Sequence, residues 1–126
     1  MEDKEKEILQ NGKKRYTDLS YLNTIAKGNQ DFILKMISTF THEMSIDLPR
    51  IKQQLAEHYW EGVASTAHKI KPSFQFFGIK ELQESILIIE SNAKEQKNLN
   101  DLPELISKLE YICGIAIAEL NQEKTK

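Results

Sequence analysis

His68 and Lys71 are the residues whose types and spacing best suit chemistry. They lie in the stretch STAHKIKPSFQFFGI, residues 65–79. A neutral imidazole is a nucleophile at physiological pH, and a side chain three residues later on a helix reaches over the same ring. An ammonium group in that place does not stabilise the helix, but it can neutralise the oxygens of an arriving phosphoryl group. The pair therefore predicts a histidine that a partner protein phosphorylates reversibly.

The position of His68 on its helix supports this prediction. At about 100° per residue, the apolar residues of the helix form one stripe that lies roughly 180° to 280° from the histidine. This predicted core stripe consists of Trp60, Val63, Ala67, Ile70, Phe74 and Phe77. His68 therefore points away from the core. The small side chains of Ala64 and Ser65, one turn earlier, leave room for another protein to approach the ring.

Pro72, Gln75 and Phe76 are further candidates for lining the site. Pro72 lies one turn after His68 and has no bulky free side chain. The helical angle of Gln75 favours a hydrogen bond to a phosphoryl group or to a partner backbone. Phe76 lies about 80° from His68, so it is either a partly exposed docking residue or a contact to a neighbouring helix. The other histidines of the chain are interpreted as ordinary surface or half-buried residues.

The apolar spacing along the chain predicts an all-α protein, because helical periods recur and no period-2 alternation does. A short helix follows Thr17, which is predicted to cap it, and Gly28 ends it. Asn29 can cap a second helix, in which Pro49 predicts a kink or a restart near Asp47. The remaining helices are predicted over residues 59–77, 80–97 and 101–120.

Four long amphipathic helices joined by short loops predict an up-and-down antiparallel four-helix bundle. The short first helix is predicted to cover one end of this bundle. Residues 17–124 form the predicted domain. Residues 1–16 are rich in charge and contain an Asn-Gly turn dipeptide, so they are predicted to be a flexible lead-in.

Composition excludes several kinds of function. The chain has 126 residues and a net charge of −2, which fits one globular domain without a basic stripe for nucleic acid. No apolar run approaches the roughly 20 residues that span a membrane, so a cytoplasmic protein is predicted. The glycine motifs of nucleotide sites, the Glu-x-x-His pairs of di-iron bundles and a nucleophile elbow are all missing. Cys113 falls in an apolar helical pattern and is predicted to be a buried, inert thiol.

The segment AHKIKPSFQFFG, residues 67–78, resembles the phosphorylation motif of histidine-containing phosphotransfer (HPt) domains. In that family the histidine is followed by a lysine three residues on, a glycine four on and a second glycine ten on. His68, Lys71 and Gly78 match this pattern, whereas Pro72 stands where the family usually has its first glycine. The resemblance covers roughly residues 18–120. It extends to the glutamate that the family often carries on the next helix, here Glu90.

The resemblance implies a phosphoryl carrier and not an enzyme. Such domains carry a phosphoryl group on histidine Nε2 between aspartates of response-regulator receiver domains, in relays that begin at a hybrid sensor histidine kinase. The implied molecule is a monomer without a cofactor or metal of its own, because the magnesium that assists transfer belongs to the receiver. His68 is then the phosphoacceptor, Lys71 stabilises the phosphoryl charge, and Glu90 is the candidate for orienting the imidazole through Nδ1.

One alternative stays open, a non-catalytic helical adaptor that binds receiver or kinase domains without phosphotransfer. A chain that lacked the histidine would favour this alternative. The presence of both His68 and Lys71 weighs against it.

Overall fold

The structure, a computed structural model, describes residues 15–124. These residues form α-helices and one short 3₁₀ turn, with no strand among them. The helices are α1 (Ser20–Ala26), α2 (Gln30–Ala56), α3 (Trp60–Phe76), α4 (Lys80–Glu95) and α5 (Leu102–Lys124), and the 3₁₀ turn is Leu99–Asp101. The prediction of an all-α protein is confirmed. Within the described part of the chain, no helix has both the length and the apolar character needed to cross a membrane.

The four long helices pack in chain order into a closed bundle. α2 packs on α3, α3 on α4 and α4 on α5, and α5 returns to α2. Each long helix contributes an apolar stripe to one core, in which Ile37, Phe74, Ile86 and Leu109 are fully buried. Burial of one such side chain stabilises the fold by about 1.5–3 kcal/mol. The short α1 contacts α2 and buries Leu22.

The turn between α1 and α2 has the form that its sequence predicts. Lys27 and Gly28 have φ angles of 52° and 84°, and this left-handed backbone ends α1. The Asn29 side chain then accepts a hydrogen bond from the Phe32 N–H at 3.1 Å. This bond satisfies a donor at the start of α2, so the predicted cap is confirmed.

Both α2 and α3 continue through a proline. Pro49 lies within α2 and Pro72 within α3, and neither divides its helix. The predicted restart of the second helix near Asp47 is therefore wrong. An internal proline costs about 3 kcal/mol. Met44 and Ile51, on either side of Pro49, are both buried, and together they contribute at least as much stabilisation through the core.

Residues 15–19, called here the N-terminal strap, precede α1 and are held by Glu119 of α5. The Thr17 N–H and hydroxyl donate to Oε1 of this buried carboxylate at 2.9 and 2.6 Å. Thr17 therefore does not cap α1, and that prediction is wrong. The Asp18 carboxylate instead accepts from the Ser20 N–H at 2.9 Å. The buried carboxylate holds Thr17 because charge-assisted hydrogen bonds away from water are stronger than those at an exposed helix end.

The last residues of the predicted lead-in also contact the domain. Arg15 donates to Glu123 at 3.1 Å, and the Tyr16 N–H donates to Glu119 at 2.9 Å. Arg15 and Tyr16, which the sequence assigned to the lead-in, therefore contact α5. The rest of that predicted segment, residues 1–14, lies outside the described residues.

The strap also explains the glycine that follows α3. The Asp18 N–H donates to the Phe77 carbonyl at 2.9 Å, so the two backbones run close together. A Cβ at Gly78 would lie 2.6 Å from the Asp18 carbonyl oxygen, and Gly78 has a φ of 60°. Only glycine meets both conditions without strain. This contact fixes the C-terminal end of the helix that carries His68.

Candidate functional site

α3 presents His68 on the surface of the bundle. Val63, Ala67, Ile70 and Phe74 are buried on the core side of the helix. The His68 side chain is 70% exposed. The apolar residues recur every three or four positions, and burying them turns the opposite face toward solvent. The predicted outward direction of His68 is confirmed.

Glu90 of α4 contacts both residues of the predicted pair. Its Oε2 lies 2.8 Å from Nδ1 of His68. Its other oxygen, Oε1, accepts a hydrogen bond from Nζ of Lys71 at 2.9 Å. We call His68, Lys71 and Glu90 the His68 cluster. Packing of α3 against α4 brings these residues together, although 22 positions separate His68 from Glu90.

Opposing effects determine the pKa of Glu90. Partial burial raises it, but the hydrogen bonds and charges of Lys71 and His68 outweigh burial and hold the pKa below its ordinary value. The carboxylate is therefore ionised at neutral pH and can only accept hydrogen bonds, so Nδ1 of the neutral ring carries the hydrogen. A neutral ring with its hydrogen on Nδ1 has its lone pair on Nε2, and the side chain is largely exposed.

A groove between α3 and α4 adjoins the cluster. It has a volume of about 280 Å³ and is lined by Lys71, Pro72, Gln75, Gln83 and Leu87. Pro72 and Gln75 are exposed, as a lining role requires. The sequence analysis did not find Gln83 and Leu87. Leu87 is 53% exposed. The sequence could have indicated it, because it is an apolar residue that lies off the buried stripe of α4.

The remaining site candidates lie on the same helix as His68. Ala64 is half-buried and Ser65 is exposed, one turn before the histidine. Phe76 is half-buried, and its ring packs against Tyr21 of α1 with centroids 5.7 Å apart. Of the two interpretations of Phe76, packing against a neighbouring helix therefore applies, and the residue is also partly exposed.

Lys69, the other lysine beside His68, belongs to a different cluster. Its Nζ donates to both carboxylate oxygens of Asp47 on α2, at 3.1 and 3.0 Å. Arg50 donates to the same carboxylate at 3.1 Å. We call Asp47, Arg50 and Lys69 the Asp47 cluster. It lies at the contact between α2 and α3, so Lys69 does not join the His68 cluster.

The other reactive side chains offer no second site of this kind. His42 and His58 are exposed, and the ring of His58 stacks on Trp60 with centroids 5.2 Å apart. Cys113 is fully buried, and burial raises its pKa to about 12, so the prediction of a buried, unreactive thiol is confirmed. Within residues 15–124, no His, Cys, Asp and Glu side chains form a group of three or more that could hold a metal ion.

Comparison with known families agrees with this geometry. The family model described as the Hpt domain matches residues 35–123, which is more than half of the chain. The chain belongs to the Hpt domain family. Hpt domains act in histidine phosphotransfer within two-component phosphorelays, as phosphoryl carriers rather than catalysts. Neither a curated protein nor a solved structure matches the chain.

Proposed function

We propose that this Hpt domain carries a phosphoryl group on His68 between receiver-domain aspartates in a multistep phosphorelay. The observation that supports the proposal is the His68 cluster, in which Glu90 engages Nδ1 at 2.8 Å while the side chain stays 70% exposed. A nucleophile needs an available lone pair, a fixed orientation and access for its partner. The contact of Nδ1 with Glu90 supports a fixed ring whose lone pair is on Nε2, and the exposure of the side chain supports access for a partner.

In the proposed step, the lone pair of Nε2 attacks the phosphorus of an aspartyl phosphate on a receiver domain. The N–P bond forms as the P–O bond breaks, and the electron pair of the P–O bond leaves on the aspartate carboxylate. The hydrogen on Nδ1 stays in place, facing Glu90. Lys71 neutralises part of the charge on the phosphoryl oxygens, which is how fixed cations favour phosphoryl transfer.

Receiver domains are the proposed partners on both sides of the relay, with a hybrid sensor histidine kinase upstream. The groove of Pro72, Gln75 and Leu87 adjoins the cluster and combines apolar surface with a side-chain amide, as protein interfaces do. Ala64 and Ser65 leave the approach to the ring open. The chain is proposed to act as a monomer without a cofactor, and the magnesium ion of the transfer step is assigned to the receiver.

A helical adaptor without phosphotransfer would need the groove but not the His68 cluster. Docking alone requires no contact between a carboxylate and Nδ1, and no lysine on the same carboxylate. The arrangement of Glu90 therefore favours phosphotransfer over the adaptor function.

The test is to incubate the purified chain with a receiver domain phosphorylated on its aspartate by radiolabelled acetyl phosphate. We expect an acid-labile, base-stable label to appear on the chain, as a phosphohistidine requires. His68→Gln should abolish the label while helicity by circular dichroism stays unchanged.

His42→Gln and His58→Gln are matched controls, because both residues are exposed histidines outside the cluster. Both variants should take up label at the normal rate. Label that persists in His68→Gln, or that disappears in either control, would contradict the assignment.

A further inference from the structure

Glu90 uses its two carboxylate oxygens on two different groups of the site. Oε2 faces Nδ1 of His68 at 2.8 Å, and Oε1 accepts from Lys71 at 2.9 Å. The Lys71 side chain is 33% exposed and that of Glu90 is 20% exposed. Partial shielding from water makes such a pair stronger than one on the open surface. Lys71 is thus already paired before any phosphoryl group arrives.

A phosphoryl group on Nε2 would be a second anion for the same ammonium group. The ammonium has three N–H donors and one of them is donated to Glu90, whose negative charge also offsets part of the positive charge that a phosphoryl group would meet. Sharing Lys71 between two anions therefore disfavours the phosphorylated chain.

We propose that Glu90 weakens the hold of His68 on its phosphoryl group and so keeps that group transferable. Glu90 competes with the phosphoryl oxygens for Lys71 and keeps the Nδ1 hydrogen on the ring. It is a positioning residue, because it acts through Lys71 and His68 and does not touch the phosphorus. The inference rests on the proposed function and adds a role for Glu90 beyond orientation of the imidazole.

The onward transfer step follows from this arrangement. A carboxylate oxygen of the next receiver aspartate attacks the phosphorus, the new P–O bond forms, and the N–P bond breaks. The electron pair of the N–P bond returns to Nε2. Because Nδ1 has kept its hydrogen beside Glu90, the ring leaves as a neutral imidazole, which is a better leaving group than an imidazolate. Lys71 can then return to Oε1 of Glu90.

Glu90→Gln separates the charge of this side chain from its shape. The glutamine has the same size, and its amide oxygen can still accept the Nδ1 hydrogen, but it carries no negative charge. Glu84→Gln is the matched control, since Glu84 is an exposed residue of the same helix and the variant has the same net charge. Glu90→Ala removes both charge and orientation.

Each 126-residue chain is phosphorylated with potassium phosphoramidate, a small donor that requires no receiver, and the phosphohistidine is followed by ³¹P NMR. We expect the phosphorylated Glu90→Gln chain to lose its phosphoryl group about three- to tenfold more slowly than the wild type at neutral pH. Mixing with an unphosphorylated receiver domain should leave a correspondingly larger equilibrium fraction on His68. Glu84→Gln should match the wild type within about twofold, as expected of a screened surface charge.

A Glu90→Gln chain that releases the phosphoryl group as fast as the wild type, or faster, would overturn the inference and leave Glu90 with orientation alone. A second measurement uses only the wild-type chain, so it does not depend on the folding of a variant. Phosphorylation should shift the ¹⁵N resonance of the Lys71 ammonium and the ¹³C resonance of the Glu90 carboxyl group. Unchanged resonances would contradict competition for Lys71.

Failure of the proposed function would give a different result. A wild-type chain that accepts the phosphoryl group from phosphoramidate but exchanges none with receiver domains would contradict the relay function. The comparison of lifetimes between wild type and Glu90→Gln would still decide the inference.

Discussion

Two carboxylates flank α3, one on each side, and they bind neighbouring residues of the same helix. Asp47 of α2 binds Lys69, whereas Glu90 of α4 binds His68 and Lys71. The chemical groups are similar, and the α3 residues follow each other within one turn. The two clusters nevertheless differ in what their surroundings allow them to do.

Burial of the carboxylate is the main difference between the clusters. The Asp47 side chain is 0% exposed, and its partners Lys69 and Arg50 are both basic side chains. A buried carboxylate must keep such partners, because an unpaired buried charge is costly. Glu90 is partly exposed, and one of its partners is a ring whose second nitrogen is open to solvent. The Asp47 cluster therefore holds α2 and α3 together, whereas the His68 cluster leaves Nε2 available to a partner.

A bulky side chain placed beside each cluster should produce the largest difference in transfer rate between the two. Pro72→Tyr restores a backbone N–H in α3, so the variant should fold at least as well as the wild type, but its ring should obstruct the receiver. We expect transfer from a phosphorylated receiver to fall below about one per cent of the normal rate, since small misplacements near the reacting atoms cost about a hundredfold. Rapid-quench kinetics measure this rate.

Pro49→Tyr is the matched control, because Pro49 is the exposed proline of α2 near the Asp47 cluster. It should transfer normally. Labelling of Pro72→Tyr by phosphoramidate should also stay normal, because that donor is small. Normal transfer from the receiver to Pro72→Tyr would refute the role of access at this position.

The two lysines of α3 should give opposite results when they are exchanged for alanine. Lys71→Ala should slow transfer by roughly tenfold to a hundredfold, which is less than for a buried stabilising charge because water reaches this site. Lys69→Ala should change the transfer rate by less than about twofold, but it should lower the free energy of unfolding by about 1 kcal/mol. Transfer assays and urea denaturation of both variants test whether Lys71 acts on transfer and Lys69 on stability. Equal transfer rates in the two variants would show that the clusters do not divide the roles in this way.

Asp47→Asn should act on stability and spare transfer. The variant keeps the shape of the side chain but weakens its charge-assisted bonds to Lys69 and Arg50. We expect the free energy of unfolding to fall by about 1–3 kcal/mol. The fall should not be larger, because Lys69 and Arg50 can both turn to solvent and neither is left as an unpaired buried charge. Urea denaturation measures this change. A loss of transfer without a loss of stability would mean that the Asp47 cluster belongs to the site.

Pro72→Gly should have a much smaller effect on transfer than Pro72→Tyr. It introduces the residue that the family usually carries at this position and leaves the approach to His68 open. We expect the transfer rate to stay within about tenfold of the wild type, which corresponds to about 1.4 kcal/mol. The same rapid-quench assay tests this expectation, and a larger loss would mean that the proline itself shapes the site.

Local patterns in the sequence were enough to predict most of the fold and part of the site. The apolar stripe of α3 predicted that His68 faces outward, and the Gly28-Asn29 pair predicted the turn into α2. These features depend on residues within a few positions of each other. The predicted restart at Pro49 was wrong for a related reason. The free-energy cost of a proline inside a helix can be expected from the sequence, whereas the core packing that outweighs this cost cannot.

The sequence by itself therefore determined an all-α chain with an exposed histidine and a lysine one turn later. Only the tertiary structure decided that Lys71 joins Glu90, that Lys69 joins Asp47, and that Glu119 holds Thr17 of the strap. Each of these contacts depends on the rotation and axial offset of one helix relative to another. Periodicity fixes which face of a helix is buried, but it does not fix which residue of the neighbouring helix lies opposite.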